Sequence, residues 1–313
     1  MSRPVHFLSL ADLSAGDMLS LVDAASRSSD QLEPLPDSLL SGRAIALVFE
    51  KPSTRTRVAF EVAALELGGA GIYLDAQGSQ LGRGEPIEDT ARVLSGYCAA
   101  IVYRTFGHQR VMAMAEAATV PVINGLTDWL HPCQIVADLL TVRQEFGQLS
   151  GLRYAWVGDG NNMAHSWMNA AASLGLELTL ACPEGFDPDP AVLGATEARM
   201  AEAGKGSVRV VRTPAEAVAD ADVVSTDVWA SMGQEAEAEA RRVAFAGYCL
   251  DDPLMAEARA RAIVLHCLPA HRGEEITAQL LEGPRSRVWP QARNRLHAHK
   301  AILRRVLTDS SGQ

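Results

Sequence analysis

Residues 49–57, FEKPSTRTR, gather three hydroxyls (Ser53, Thr54, Thr56) and two guanidinium groups (Arg55, Arg57) into five consecutive positions. Hydroxyls donate to oxygen without adding charge, and an arginine presents a planar fork that matches phosphate oxygens. An apolar run, Ala44-Ile45-Ala46-Leu47-Val48, comes first and reads as a buried parallel strand. An almost wholly apolar stretch, 58–67, comes after and reads as a helix stopped by Gly68-Gly69. The hydroxyls and arginines thus fall where a helix starts, and its outward amide hydrogens and positive dipole end favour an anion. The expected guest is a phosphate or a phosphorylated small molecule. A plain Ser/Thr cap with two solvated arginines is the alternative. No GxxxxGK[ST] occurs, so a nucleotide is not implied.

Other residues of the same chemical kind recur at strand ends. Arg104 closes an apolar strand over 99–103, and ligands of open α/β sheets bind beyond such ends. His131 and Gln134 stand three apart at the start of a helix read over 135–146, so that an imidazole and a carboxamide could address one small polar group; a His-Pro cap reads equally well. Further along, Asp227 and Ser231 follow a strand at 221–225. The thiol of Cys267 follows one at 262–265, although a buried cysteine is normally a small hydrophobe. Cys267 with His266 and His271 lacks a second metal-spaced pair, and no metal is expected. Gly158-Asp159-Gly160 begins like a dinucleotide fingerprint, but Met163 replaces the third glycine and Glu184 is a loosely placed ribose partner. The paired Asn161 and Asn162 suit a small zwitterion better.

The elements that must position these groups alternate strand and helix. A capped amphipathic helix is read over 14–26, with Asp17 three residues after Ser14, and a strand over 71–74. A polar glycine-rich loop over 75–85 holds Gln80 and Arg83, and a helix over 87–97 has Val93 and Leu94 on its inner side. A strand over 121–124 completes the first set. The pattern restarts near 147–151, with strands over 153–157, 177–181, 207–211, 221–225 and 262–265. A last helix spans 289–307, with Leu296, Leu303 and Val306 on one side. The fold class is α/β, two doubly wound parallel-sheet domains, one over 1–147 and one over 148–289.

Composition narrows the function. The chain has 313 residues, 48% hydrophobic and 21% charged, with a net charge of -10 that argues against a nucleic-acid surface. No apolar run reaches the roughly 20 residues that span a bilayer, so no membrane partner is expected. The N-terminal residues lack the core of a signal peptide. Five scattered cysteines without CxxC spacing read as reduced thiols, and the expected location is cytoplasmic.

Taken in order, FLSLADLS, FEKPSTRTRVAFE, DTARVLSGY, HPCQIVADLLTV, GDGNN, DVWASMGQE and HCLPAHRGEEI resemble the aspartate/ornithine carbamoyltransferases over essentially the whole chain. The SMG and HCLP elements are similar to the ornithine branch. The resemblance implies a site residue by residue. Ser53, Thr54, Arg55 and Thr56 match the carbamoyl phosphate loop; Arg104, His131 and Gln134 match the groups on the phosphate and the carbamoyl carbonyl and amide. Cys267 and Leu268 match the segment beside the δ-amine and the carbamoyl amide, and Arg295 a further carbamoyl phosphate contact. Asn162, Asp227, Ser231 and Met232 match the α-amino and α-carboxylate contacts of ornithine. Gln80 matches a residue that reaches into a neighbouring subunit's site, which implies a homotrimer. Residues 290–313 are implied to pack back on the first domain, and domain closure with movement of the SMG loop is implied too.

The implied reaction is carbamoyl transfer from carbamoyl phosphate to the δ-amine of L-ornithine, giving citrulline and phosphate, with no metal and no cofactor. Arg55, Arg104, His131 and Cys267 are its expected catalytic groups. Transfer to aspartate, N-acetylornithine or putrescine stays open within the class. A non-catalytic phosphate- or amino-acid-binding protein stays open outside it.

Overall fold

The computed structural model describes residues 4–30, 39–75, 78–230 and 235–309, which divide into two compact units. Unit 1 comprises Met1–Leu140 and Arg293–Gln313, and unit 2 comprises Thr141–Ala292.

Unit 1 opens with α1 (Ala15–Ser29), whose start is a capping box: Ser14 accepts from the Asp17 amide, and the Asp17 carboxylate accepts from the Ser14 amide. There follow β1 (Ala44–Phe49), α2 (Thr54–Glu66), β2 (Ala70–Asp75), α3 (Ile87–Tyr97), β3 (Ala100–Arg104), α4 (His108–Ala117), β4 (Val122–Leu126) and the start of α5 (Pro132–Phe146). The strands are all parallel, in the order β2-β1-β3-β4. β1 is apolar because helices cover both its faces, and Ile45 to Phe49 are all buried. Val93 departs from the sequence reading. It is 50% exposed, and Ala91 is the buried residue of α3, because the helix turns its two-residue-distant face outward.

Unit 2 continues with β5 (Arg153–Val157), α6 (Asn162–Leu174), β6 (Glu177–Ala181), α7 (Pro190–Ala203), β7 (Ser207–Val211), α8 (Pro214–Val218), β8 (Val223–Thr226), α9 (Ala238–Ala244), α10 (Asp252–Met255), β9 (Ile263–His266) and α11 (Ala278–Leu281). The order is β7-β6-β5-β8-β9, again all parallel. Its core gathers Val157, Val224, Phe245, Leu250, Val264 and Ile276, among others.

The last helix, α12 (Val288–Asp309), belongs to unit 1 from Arg293 onward. Ala298, Ala301, Ile302, Leu303 and Val306 are buried along it, and ion pairs join Lys300 to Glu66 and Arg305 to Asp17. Among the described residues no helix is long and apolar enough to cross a membrane.

Both sheets reverse their strand order once, between β1 and β3 in unit 1 and between β5 and β8 in unit 2. In open α/β folds the crevice beyond the carboxyl ends at such a reversal is the place for a ligand. Ser53 follows β1 and Arg104 ends β3, while Asn161 and Asp227 follow β5 and β8.

Candidate active site

Helix α2 begins at Thr54, four residues ahead of the sequence reading, because Ser53 is its N-cap (φ -162°, ψ 109°). Thr54, Arg55 and Thr56 are therefore its first turn rather than a loop before it, and Gly68, at φ +82°, stands just past its end. The Ser53 hydroxyl oxygen accepts from the Thr56 amide at 3.2 Å, and the hydroxyl donates to Thr56 Oγ1 at 3.1 Å. Arg295 Nη2 donates to the same Oγ1 at 2.7 Å. With both its lone pairs engaged, the Thr56 hydroxyl keeps its proton for a third group.

Around this contact the unit gathers positive charge. Arg104 and Arg295 are buried (5% and 3% exposed), and Arg55 is half-buried. Burial pushes the His131 imidazole well below its ordinary value, and Arg295, Arg104, His299 and Arg55 push it further the same way. His131 is thus neutral at pH 7, with one ring N–H to give and one nitrogen to accept. Positive charge gathered beside a helix start favours an anionic guest.

Gln134 lies in the first turn of α5, fully buried. Its Nε2 donates to Asp138 Oδ1 at 3.0 Å, and its buried Oε1 has no hydrogen-bond partner among the described residues. The carboxamide is therefore held with a buried acceptor left over, which fits an –NH2 group. Gln80 is exposed beside a single 3-10 turn, Leu81–Arg83.

Sequence reasoning missed the braces beneath this cluster. Glu50 accepts from Tyr103 Oη at 2.8 Å, from Thr105 Oγ1 and from both sides of the Arg110 fork. Burial opposes its ionisation, but these donors outweigh it and hold the carboxyl below its usual range. Lys51 is buried, paired with Asp128 and 4.4 Å from the Phe106 ring. A charged pair directly at the end of an apolar strand was the available signal.

In unit 2, Asn161 rather than Asn162 caps α6, accepting from the Met163 and Ala164 amides at 2.9 and 3.3 Å. Its Nδ2 donates to Asp227 Oδ2 at 3.1 Å, while Asp227 Oδ1 accepts from the Val228 amide at 2.8 Å and from the Cys267 thiol at 3.0 Å. Asp227 is buried, Asn162 and Cys267 are half-buried, and the three strand ends meet at this carboxylate. Ser231 and Met232 lie outside the described residues. Leu268 sits at φ +59° before a cis bond to Pro269. Its amide donates to His266 Nδ1 at 2.9 Å, and His266 Nε2 meets Glu275 Oε1 at 3.0 Å. The acceptor role of Nδ1 places the ring proton on Nε2, so a buried Glu275–His266 pair holds the Cys267–Leu268 turn. Glu275 was visible only as one letter of HRGEE.

Asp227, His266 and Cys267 offer ligand atoms within 4.8 Å of one another, as do His271, Glu274 and Glu275. The hydrogen bonds just described already occupy the first three. Gly160 owes its identity to packing within the chain: a Cβ there would lie 2.1 Å from Pro188 N and 2.3 Å from the Asp187 carbonyl carbon.

One α/β unit thus gathers arginines and a neutral imidazole at a helix start, and the other an acid, an amide and a thiol at its strand ends. The chain belongs to the aspartate/ornithine carbamoyltransferase family. Residues 5–144 match the family's carbamoyl-P binding domain and residues 150–306 its Asp/Orn binding domain. An ornithine carbamoyltransferase of Acidothermus cellulolyticus is 57% identical over 312 residues, 98% of each chain. One of Geobacter metallireducens is 52% identical over 304 residues, 96% of this chain and 99% of the relative. The solved ornithine carbamoyltransferase of Pyrococcus furiosus superposes with a TM-score of 0.92 at 48% identity, covering 96% of each chain.

Proposed function

We infer that the chain transfers the carbamoyl group of carbamoyl phosphate to the δ-amine of L-ornithine, giving L-citrulline and phosphate. Full-length likeness to relatives named ornithine carbamoyltransferase supports this, and so does the family's two-domain match. The single observation that carries the chemistry is the convergence of Arg55, Arg104 and Arg295 on a neutral His131, with Arg295 also donating to Thr56.

Ser53, Thr54, Arg55 and the α2 start, with Arg104 and Arg295, hold the phosphate. Thr56, Arg104 and His131 donate to the carbamoyl oxygen as it gains charge, a preorganised electrostatic role. Gln134 Oε1 accepts from the carbamoyl –NH2, with Leu268 as a second contact. Asp227, Asn162, Ser231 and Met232 hold the amino-acid end of ornithine, and Cys267 lies beside its δ-amine. The new N–C bond forms as the C–O bond to phosphate breaks. An alkylamine of pKa about 10.4 is about 3.4 units above neutral, which costs roughly 4.6 kcal/mol to deprotonate at pH 7. A basic surround lowers that cost, and the departing phosphate takes the proton.

We assign a cytoplasmic homotrimer, with exposed Gln80 completing a neighbour's site, and the direction of arginine biosynthesis. The relative from Pyrococcus furiosus at 52% identity is named anabolic. The test is product formation from carbamoyl phosphate with ornithine, aspartate, N-acetylornithine and putrescine in parallel. Citrulline from ornithine, with the other acceptors at least about 100-fold slower, is the expected result. Preference for another acceptor overturns the assignment.

A further inference from the structure

His299 is fully buried, and among the described residues neither of its ring nitrogens has a hydrogen-bond partner. Buried polar groups are nearly always paired, so this ring requires an explanation other than hydrogen bonding. Its neighbours supply one. The imidazole lies flat on Phe60, ring centroids 3.8 Å apart and planes 8° from parallel. Phe60 is one helical turn after Thr56 on α2, and His299 is one turn after Arg295 on α12. Residues four apart share a helix face, so the stack and the 2.7 Å Arg295–Thr56 hydrogen bond are successive rungs of one contact. Lys300 and Glu66, 2.6 Å apart, close the ladder at its far end.

We propose that His299 is a positioning residue for carbamoyl phosphate binding: its face-to-face stack on Phe60 fixes the turn of α12 that presents Arg295 at Thr56. An uncharged flat ring suits the place. Burial, and after it Arg295, hold this imidazole well below its ordinary value, so it adds no cation to three guanidinium groups. The inference rests on the reading of Arg295 as a phosphate contact.

The test compares His299→Leu, which keeps apolar volume and loses the flat face, with His299→Phe, which keeps the face and loses both nitrogens. An aromatic stack is worth about a three- to tenfold change in a binding constant, so His299→Leu is expected to raise KM for carbamoyl phosphate about tenfold. KM for ornithine stays within about twofold of wild type, and His299→Phe restores carbamoyl phosphate binding. Binding of inorganic phosphate, followed by calorimetry, weakens in parallel. His299→Leu equal to wild type, both KM values rising together, or His299→Phe as poor as His299→Leu overturns the inference. Should His299→Leu fail to fold, Phe60→Leu removes the same stack from the other side and is read in the same way. Wild-type enzyme that makes no citrulline and binds no phosphate would instead sink the reading on which the inference rests.

Discussion

Gln134 illustrates how one side chain's role follows from its neighbour. Asp138 accepts from Nε2 and so decides which end of the carboxamide is left for the carbamoyl group it is proposed to meet. Asp138→Asn can donate as well as accept, which lets the carboxamide turn over and offer a donor where an acceptor is needed. The expected cost is about tenfold in kcat/KM, one hydrogen bond's worth, with little change in melting temperature. Arg55→Ala should cost at least about 100-fold in kcat, the scale of losing one donor to developing charge. Steady-state rates with both substrates varied check the two variants. The residues proposed to bind phosphate stood out because hydroxyls and arginines crowd one helix start, which the fold places at Thr54. Asp138 was not, because an acid four residues along an apolar helix has no meaning until its partner's orientation is known. Arg295 shows the same limit: on helix position alone it is a solvated charge, and only tertiary structure buries it.

At the scale of elements, strands and helices were legible from periodicity, with ends shifted by one to four residues where a cap decides the boundary. Ser53 is the largest such shift. Val93 misled because α3 is amphipathic about a small residue, Ala91, so the larger apolar side chain is left outward. The turn after β9 depends on the His266–Glu275 pair, which fixes the ring that holds the Leu268 amide. Glu275→Gln keeps the size but supplies an amide where the ring N–H needs an acceptor or tolerates a flip. KM for ornithine is expected to rise about 5- to 150-fold, the roughly 1–3 kcal/mol of a disturbed buried polar pair, while binding of inorganic phosphate is unchanged. Equal weakening of phosphate and ornithine would show that the pair serves folding alone.

Among the described residues burial lowers four imidazoles, His108, His131, His297 and His299, and Arg295 pushes His131 and His299 further, well below the ordinary value. On unfolding they take protons once the pH is below about 6.5, the ordinary imidazole value. The unfolded state then binds more protons, so stability is full above that pH and falls below it, by up to about 1.4 kcal/mol per pH unit for each ring. Melting temperatures of the unliganded protein between pH 7.5 and 5.5 should fall on the acid side, and His299→Phe should recover part of the loss. A flat profile contradicts the assignment of neutral rings. For the proposed shared site, refolding a mixture of Gln80→Ala and Arg55→Ala subunits should restore activity above that of either alone, since a hybrid of the proposed trimer would regain sites with both residues intact. Light scattering of the same mixture checks the trimer.

The most direct test is a crystal structure with a phosphonate bisubstrate analogue of carbamoyl phosphate and ornithine. The phosphonate is expected at the start of α2, within hydrogen-bond distance of Ser53, Arg55, Arg104 and Arg295, with the analogue's amino-acid end on Asp227 and Asn162. A phosphonate bound away from that helix start, or an amino-acid end that leaves Asp227 untouched, would contradict the account.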